Sequence, residues 1–321
     1  MTTTTDPFLL CDMGGTNCRL ALSVGGGAPQ GIRSFRNDDF DSGYAVIDAY
    51  LDGIGRPALG GVTLAMAGPV IADGIRLTNR DWKITHSGMA KVLSADFDGP
   101  VVFINDLMAL GYATCAVTEA QCRPLHPGSG IASNGQSFVL ACGTGINGSM
   151  AVRLGPHITA AECDLGHITV PGPMLAKLAV ETQGRFDPAS CIEEVLSGRG
   201  VAQLCSLIAG EQTALTPPQI VARAVAPGTE TDDPAARTVA LQAELAAWFI
   251  HSLTFAYRPA DGFYLGGSVF RALLDSAAGP GLIATYDALS SRPFTDHPAL
   301  HLITDDLAPL SGLSLLSTQV R

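Results

Sequence analysis

The sequence predicts an α/β protein folded as two lobes around one cleft. Three observations carry that prediction: apolar strand-like runs alternate with amphipathic helical ones, two such runs empty into glycine-rich turns, and no low-complexity linker separates independent halves. The first glycine-rich stretch is Phe8-Leu9-Leu10-Cys11-Asp12-Met13-Gly14-Gly15-Thr16-Asn17-Cys18-Arg19, and the second is Phe138-Val139-Leu140-Ala141-Cys142-Gly143-Thr144-Gly145-Ile146-Asn147-Gly148. Turns of this kind expose backbone N–H groups and let an anionic ligand approach the main chain. A pair of them reads as two halves of one phosphate clamp, as in an ATP-dependent kinase of a small molecule.

Element by element, Phe8 to Met13 and Leu20 to Val24 read as a hairpin, with Gly61 to Ala67 and Pro100 to Ile104 as buried strands. Tyr44 to Leu51, Ser87 to Leu93 and Leu107 to Ala116 have helical spacing, and Asn105 or Asp106 is placed to cap the last of these. Arg123 to Gln136 reads as a loop. Helical patterns follow over Pro173 to Ala209, Pro217 to Ala226 and Pro234 to Tyr257. Gly262 to Leu265 is a short strand ending at Gly266-Gly267, with a helix after it; a strand from Ala299 to Ile303 and a helix from Leu307 to Leu316 come last.

Composition narrows the function. The 321 residues suffice for two domains and are 47% hydrophobic but only 15% charged, with 36 glycines, which excludes a disordered chain. A net charge of −11 argues against a nucleic-acid partner, so a nucleotide must be held locally, by backbone dipoles and a metal. The eight cysteines lack zinc-ligand spacing and read as reduced thiols of a cytoplasmic protein. Met1 to Asp6 has no signal-peptide character, and no uninterrupted apolar run approaches the ~20 residues needed to span a membrane.

Four side-chain groups add chemistry. Asp12, at a strand end, is suited to hold Mg²⁺ through water, and Thr16 and Asn17 could reach phosphate. Asp106 could take the proton from an attacking hydroxyl, with a helix cap as the open alternative for Asn105-Asp106. Asp164 and His167 could grip adjacent sugar hydroxyls. Glu193, taken alone, reads first as an exposed helix charge.

Together these residues make the chain resemble the bacterial glucokinases of the actin-like sugar kinase superfamily. The resemblance is carried by Asp12 to Arg19, Leu77-Thr-Asn-Arg-Asp-Trp82, Ile104-Asn-Asp106, Gly143-Thr-Gly145, Gly166-His167, Val195-Leu-Ser-Gly198 and Tyr264-Leu-Gly-Gly-Ser268. It implies an actin/hexokinase-like (ribonuclease H-like) fold, with residues 1–115 and 304–321 as a small domain and 116–303 as a large one. It also implies a homodimer that uses ATP and Mg²⁺ to phosphorylate glucose at O6. By that likeness Asp106 is the catalytic base, and Asn105, Asp164, His167 and Glu193 are the other sugar ligands. Gly14, Gly15, Thr16, Asn17, Gly143, Thr144 and Gly145 hold phosphate, and Gly266 and Gly267 pack the adenosine.

Three departures stand out. Asp164 occupies a position where the family usually has Glu, with Glu162 a conceivable substitute; Asn147 stands where a glycine is usual; and Ile168 to Pro188 lacks the cysteine-rich zinc motif of the related ROK proteins. A zinc-bound ROK enzyme or DNA-binding repressor is therefore disfavoured, as is an actin-like filament protein. A kinase for another hexose or amino sugar and a non-catalytic sugar sensor are the alternatives.

Overall fold

The computed structural model describes residues 6–290 and 296–320; Met1 to Thr5, part of the segment read above as no signal peptide, lie outside the described residues. The chain divides into two compact units. One contains residues 6–121, Ser149–Glu162 and 305–320, and the other contains Cys122–Gly148 and the described part of Cys163–Thr304.

The first unit is built on a five-stranded sheet in the order Gln30–Arg36, Asn17–Ser23, Phe8–Met13, Gly61–Met66, Val101–Asn105. Phe8–Met13 pairs antiparallel with Asn17–Ser23 and parallel with Gly61–Met66, which pairs parallel with Val101–Asn105. Burial on both faces explains why these central strands read as continuous apolar runs. Leu9, Cys11 and Met13 pack on one face with Val46, Ile47 and Tyr50 of helix Gly43–Gly53. Leu10 points to the opposite face, against Ala109 and Tyr112 of helix Asp106–Ala113 and Leu310 and Leu313 of helix Ala308–Ser317. The two helices cross so closely that a Cβ on Gly312 would lie 1.9 Å from the Ala109 carbonyl oxygen. Hairpin Ser149–Glu162 adds Ile158 and Ala160 to this core.

In the second unit Gln136–Cys142, Phe263–Gly266 and Leu300–Ile303 pair in parallel, and Cys122–His126 closes the edge antiparallel to Leu300–Ile303. That edge strand lies in the segment expected to be a loop; Pro124 is tolerated because an edge strand can spare an N–H. The helical stretch expected over Pro173 to Ala209 breaks after Gly172–Glu181, where Gln183 and Gly184 take left-handed backbone angles. It resumes as Glu193–Leu196 and Gly198–Ala209. Helix Pro234–Tyr257 forms as expected. By length and composition it could cross a bilayer, but 61% of its most apolar window is buried inside the protein, with Leu245, Phe249 and Ile250 at the centre, so it is a core helix. Strand Gln30–Arg36, helix Gly279–Ser290 and a small sheet of Val70–Ile71, Gly74–Arg76 and Lys83–Thr85 lie outside the sequence expectations.

Candidate active site

Parallel pairing sets the geometry of the first unit's chemistry. Met13 lies beside Met66, and Met66 beside Asn105, so the first glycine turn and Asp106 emerge at the same carboxyl end of the sheet. Ligands of open α/β sheets bind at such ends. Asp12 is 4% exposed, and its Oδ2 accepts from Arg19 at 3.2 Å, directly across the hairpin. Burial pushes its carboxyl above the usual range, and the Arg19 guanidinium opposes the rise.

The turn is closed by the Gly14 N–H donating to the Asn17 carbonyl at 3.0 Å, which leaves Thr16 and Asn17 exposed. Sequence reasoning missed its anchor, Asn37. This fully buried amide donates to the Gly14 carbonyl at 2.9 Å and accepts from the Cys18 thiol at 3.2 Å, while its backbone N–H donates to Thr16 at 2.9 Å. No local pattern marks an Asn nineteen residues beyond Cys18 as the support of a turn. Arg80 reaches the same turn, donating to the Gly15 carbonyl at 3.3 Å. Asn37→Ala is expected to destabilise the protein by about 1–3 kcal/mol, the cost of unsatisfied buried partners, which denaturant titration checks.

The helix-cap reading of Asn105-Asp106 is met by Asn105. Asn105 caps helix Asp106–Ala113, its Oδ1 accepting from Leu107 N–H at 2.9 Å, and its amide donates to the Gly68 carbonyl at 3.1 Å. Asp106 Oδ1 shares the Leu107 N–H at 3.0 Å. Loss of solvent around the Asp106 carboxyl and the nearby Asp12 charge raise its pKa to about 7, with Glu162 adding to the rise and the backbone N–H bonds opposing it. Glu162, weighed from the sequence as a substitute for Asp164, ends the hairpin of the first unit. A carboxyl that titrates near neutrality is poised to exchange a proton with a hydroxyl.

The second unit holds the other cluster. The Gly143 N–H donates to the Gly145 carbonyl at 2.8 Å, and the Gly143 carbonyl accepts from Gly198 N–H at 2.8 Å. Neither glycine is left-handed; Gly145 matters because a Cβ there would sit 2.6 Å from Glu193 Oε2. Asn147 likewise avoids positive φ, so no glycine is required there; its Oδ1 accepts from Gly148 and Leu165 N–H at 2.8 and 3.0 Å. Asp164 and His167 are 73% and 72% exposed and bond to each other, Oδ1 to Nδ1 at 2.8 Å, which raises the imidazole pKa.

A cavity of about 480 Å³ opens beside this turn, within the size range of small-molecule sites. Gly143 and Thr144 form one wall, and Val201, Pro217, Val221, Val239 and Leu273 make much of the rest. Gly266 and Gly267 do not line it themselves but deliver Ser268 and Val269, which do. Its apolar walls suit a flat ring lying beside the glycine turn.

A glucokinase family model matches residues 9–320 of the chain. A glucokinase of Erwinia tasmaniensis is 26% identical over 317 residues, covering 95% of this chain and 94% of that protein. The bifunctional protein glk of Burkholderia orbicola is also 26% identical over 317 residues, which is 97% of this chain but 48% of that protein, so the chain spans about half the length of this relative. A solved glucokinase from an Antarctic psychrotroph shares the fold with a TM-score of 0.80 at 24% identity, covering 97% of this chain and 98% of that one. A ROK family glucokinase from Streptomyces griseus, solved with glucose and AMPPNP, superposes with a TM-score of 0.62 at 18% identity, covering 98% and 99%.

Proposed function

Because the chain belongs to the glucokinase family and has its actin/hexokinase-like α/β fold, we propose that it transfers the γ-phosphate of ATP to O6 of glucose. The observation that carries the proposal is Asp106, a carboxyl with a pKa of about 7 at a sheet end beside a glycine turn. Ionised, it accepts the proton of the sugar hydroxyl and aligns the oxygen for attack. With the Gly14 and Gly143 N–H groups closing their own turns, the N–H groups offered to phosphate are those that follow them in Gly14 to Asn17 and Gly143 to Gly145, and positioning with electrostatic stabilisation supplies most of the acceleration. Asp12 and Asp106, whose negative charges repel, fit a divalent cation carried with ATP, held by Asp12 through water. Bound Mg²⁺ would neutralise phosphate charge. Asn105 offers ring hydroxyls the capacity left over from its cap, and Glu193, Asp164 and His167 are further candidate sugar ligands.

Asp164 favours a second reading, a kinase for another hexose or an amino sugar. Its shorter side chain is already engaged by His167, so its reach toward glucose is reduced. ADP release with Mg·ATP across glucose, mannose, fructose, glucosamine and N-acetylhexosamines separates the readings by kcat/KM. Glucose is expected to rank first, and Asp164→Glu to lower its KM about tenfold by restoring a charged hydrogen bond. A higher kcat/KM for another sugar would transfer the assignment to it. Absence of release with every sugar would leave a non-catalytic sensor.

A further inference from the structure

Arg199 links the two substrate regions of the second unit, and neither phosphate binding nor the sugar ligand set described above accounts for it. Its side chain lines the apolar cavity beside Gly143 and Thr144. Its guanidinium also forms an ion pair with Glu193, Nη2 to Oε1. The other Glu193 oxygen, Oε2, accepts from Ile146 N–H at 3.4 Å, immediately after the glycine turn. One carboxylate is thus shared between the phosphate turn and an arginine at the nucleotide cavity.

The backbone around this pair is fixed, so side-chain movement is the available response. Gly198 N–H donates to the Gly143 carbonyl, the Cys142 thiol donates to the Leu196 carbonyl at 2.9 Å, and the buried Gln242 amide donates to the Val195 carbonyl. Arg199 by contrast is 73% exposed, whereas Glu193 is 19% exposed. A long side chain with a solvated head can exchange one anionic partner for another at little cost. A triphosphate on the Gly143–Gly145 turn carries more negative charge than a single carboxylate and takes bidentate bonds from guanidinium.

We propose that Arg199 is a positioning residue that couples the substrates: without nucleotide it occupies the Glu193 carboxylate, and a bound triphosphate draws it away, freeing that carboxylate for the sugar. The proposal rests on the sugar-kinase reading of the site. Coupling of this kind is reciprocal, so sugar strengthens nucleotide binding by the same factor. Because the pair is exposed on the arginine side, its ceiling is about fivefold.

The test is calorimetric titration of glucose into the protein, with and without a saturating non-hydrolysable ATP analogue. Wild type and Arg199→Met are compared, with Arg199→Lys and Glu193→Gln alongside. In Arg199→Met the Kd for glucose without nucleotide is expected to fall three- to fivefold, and the tightening caused by nucleotide to shrink by the same factor. Arg199→Lys restores part of that nucleotide-dependent factor; in a Glu193→Gln background Arg199→Met changes it no further. A merely structural role for Arg199 would not tighten sugar binding. An unchanged or weaker nucleotide-free Kd in Arg199→Met overturns the coupling while leaving the kinase reading intact. Wild type that binds neither glucose nor, titrated in the same way, mannose, fructose, glucosamine or an N-acetylhexosamine, with or without nucleotide, overturns both.

Discussion

Asp106→Asn is expected to lower kcat by about 10²–10⁴-fold, the range for removing a general base, while sugar binding is largely kept. The amide keeps an oxygen to accept from Leu107 N–H but cannot take a proton. In the wild type kcat/KM should rise with pH through about 7 as the carboxyl ionises, and the variant should lose that limb. Stability should move the other way. The folded pKa lies above the ordinary 3.8, so the fold favours the protonated acid. Stability contributed by this group is present at low pH and is lost as pH rises from about 4 through about 7. At pH 8 Asp106→Asn should therefore gain on the order of 1–3 kcal/mol, somewhat less than the full shift because the hydrogen bond from Leu107 N–H loses its charged acceptor. Paired pH–rate profiles and thermal melts read both effects. Comparable turnover, or a variant less stable than wild type at pH 8, would contradict the assignment.

Gly267→Ala should be the most damaging of the glycine substitutions at the site. Gly267 has φ +87°, and a Cβ there would lie 2.3 Å from the Cys142 carbonyl oxygen and 2.9 Å from its nitrogen. These are backbone atoms of the strand that leads into the second glycine turn, so they cannot rotate aside. Strained φ and overlap together imply a loss of about 3–5 kcal/mol, a large share of a typical total. Gly266→Ala should be tolerated, because its Cβ would meet only Ala141 Cβ at 3.7 Å. Urea unfolding of the two variants checks the contrast; a Gly267→Ala midpoint equal to that of wild type would be incompatible with it.

The sequence displayed what is local. Apolar runs identified the central strands, helix Pro234–Tyr257 appeared with both ends in place, and the Asp12 to Arg19 segment marked a glycine hairpin tip. These features depend on residues within a few positions of one another, where strand alternation, helical spacing and turn chemistry act. Edge elements such as Cys122–His126 were obscured because pairing with a distant strand, Leu300–Ile303, outweighs a Pro-containing local pattern.

By itself, then, the sequence determined the α/β class, the two glycine turns and the family to which the chain belongs. Tertiary structure alone decided which side chains govern those turns. It buried Asn37 beneath Gly14, set Asp12 and Glu162 near enough to Asp106 to raise its pKa, separated an obligatory Gly267 from a permissive Gly266, and joined Arg199 to Glu193. The physical reason is that burial, electrostatic repulsion and close backbone approach depend on distance in space, which strand pairing and core packing create between residues far apart in the chain.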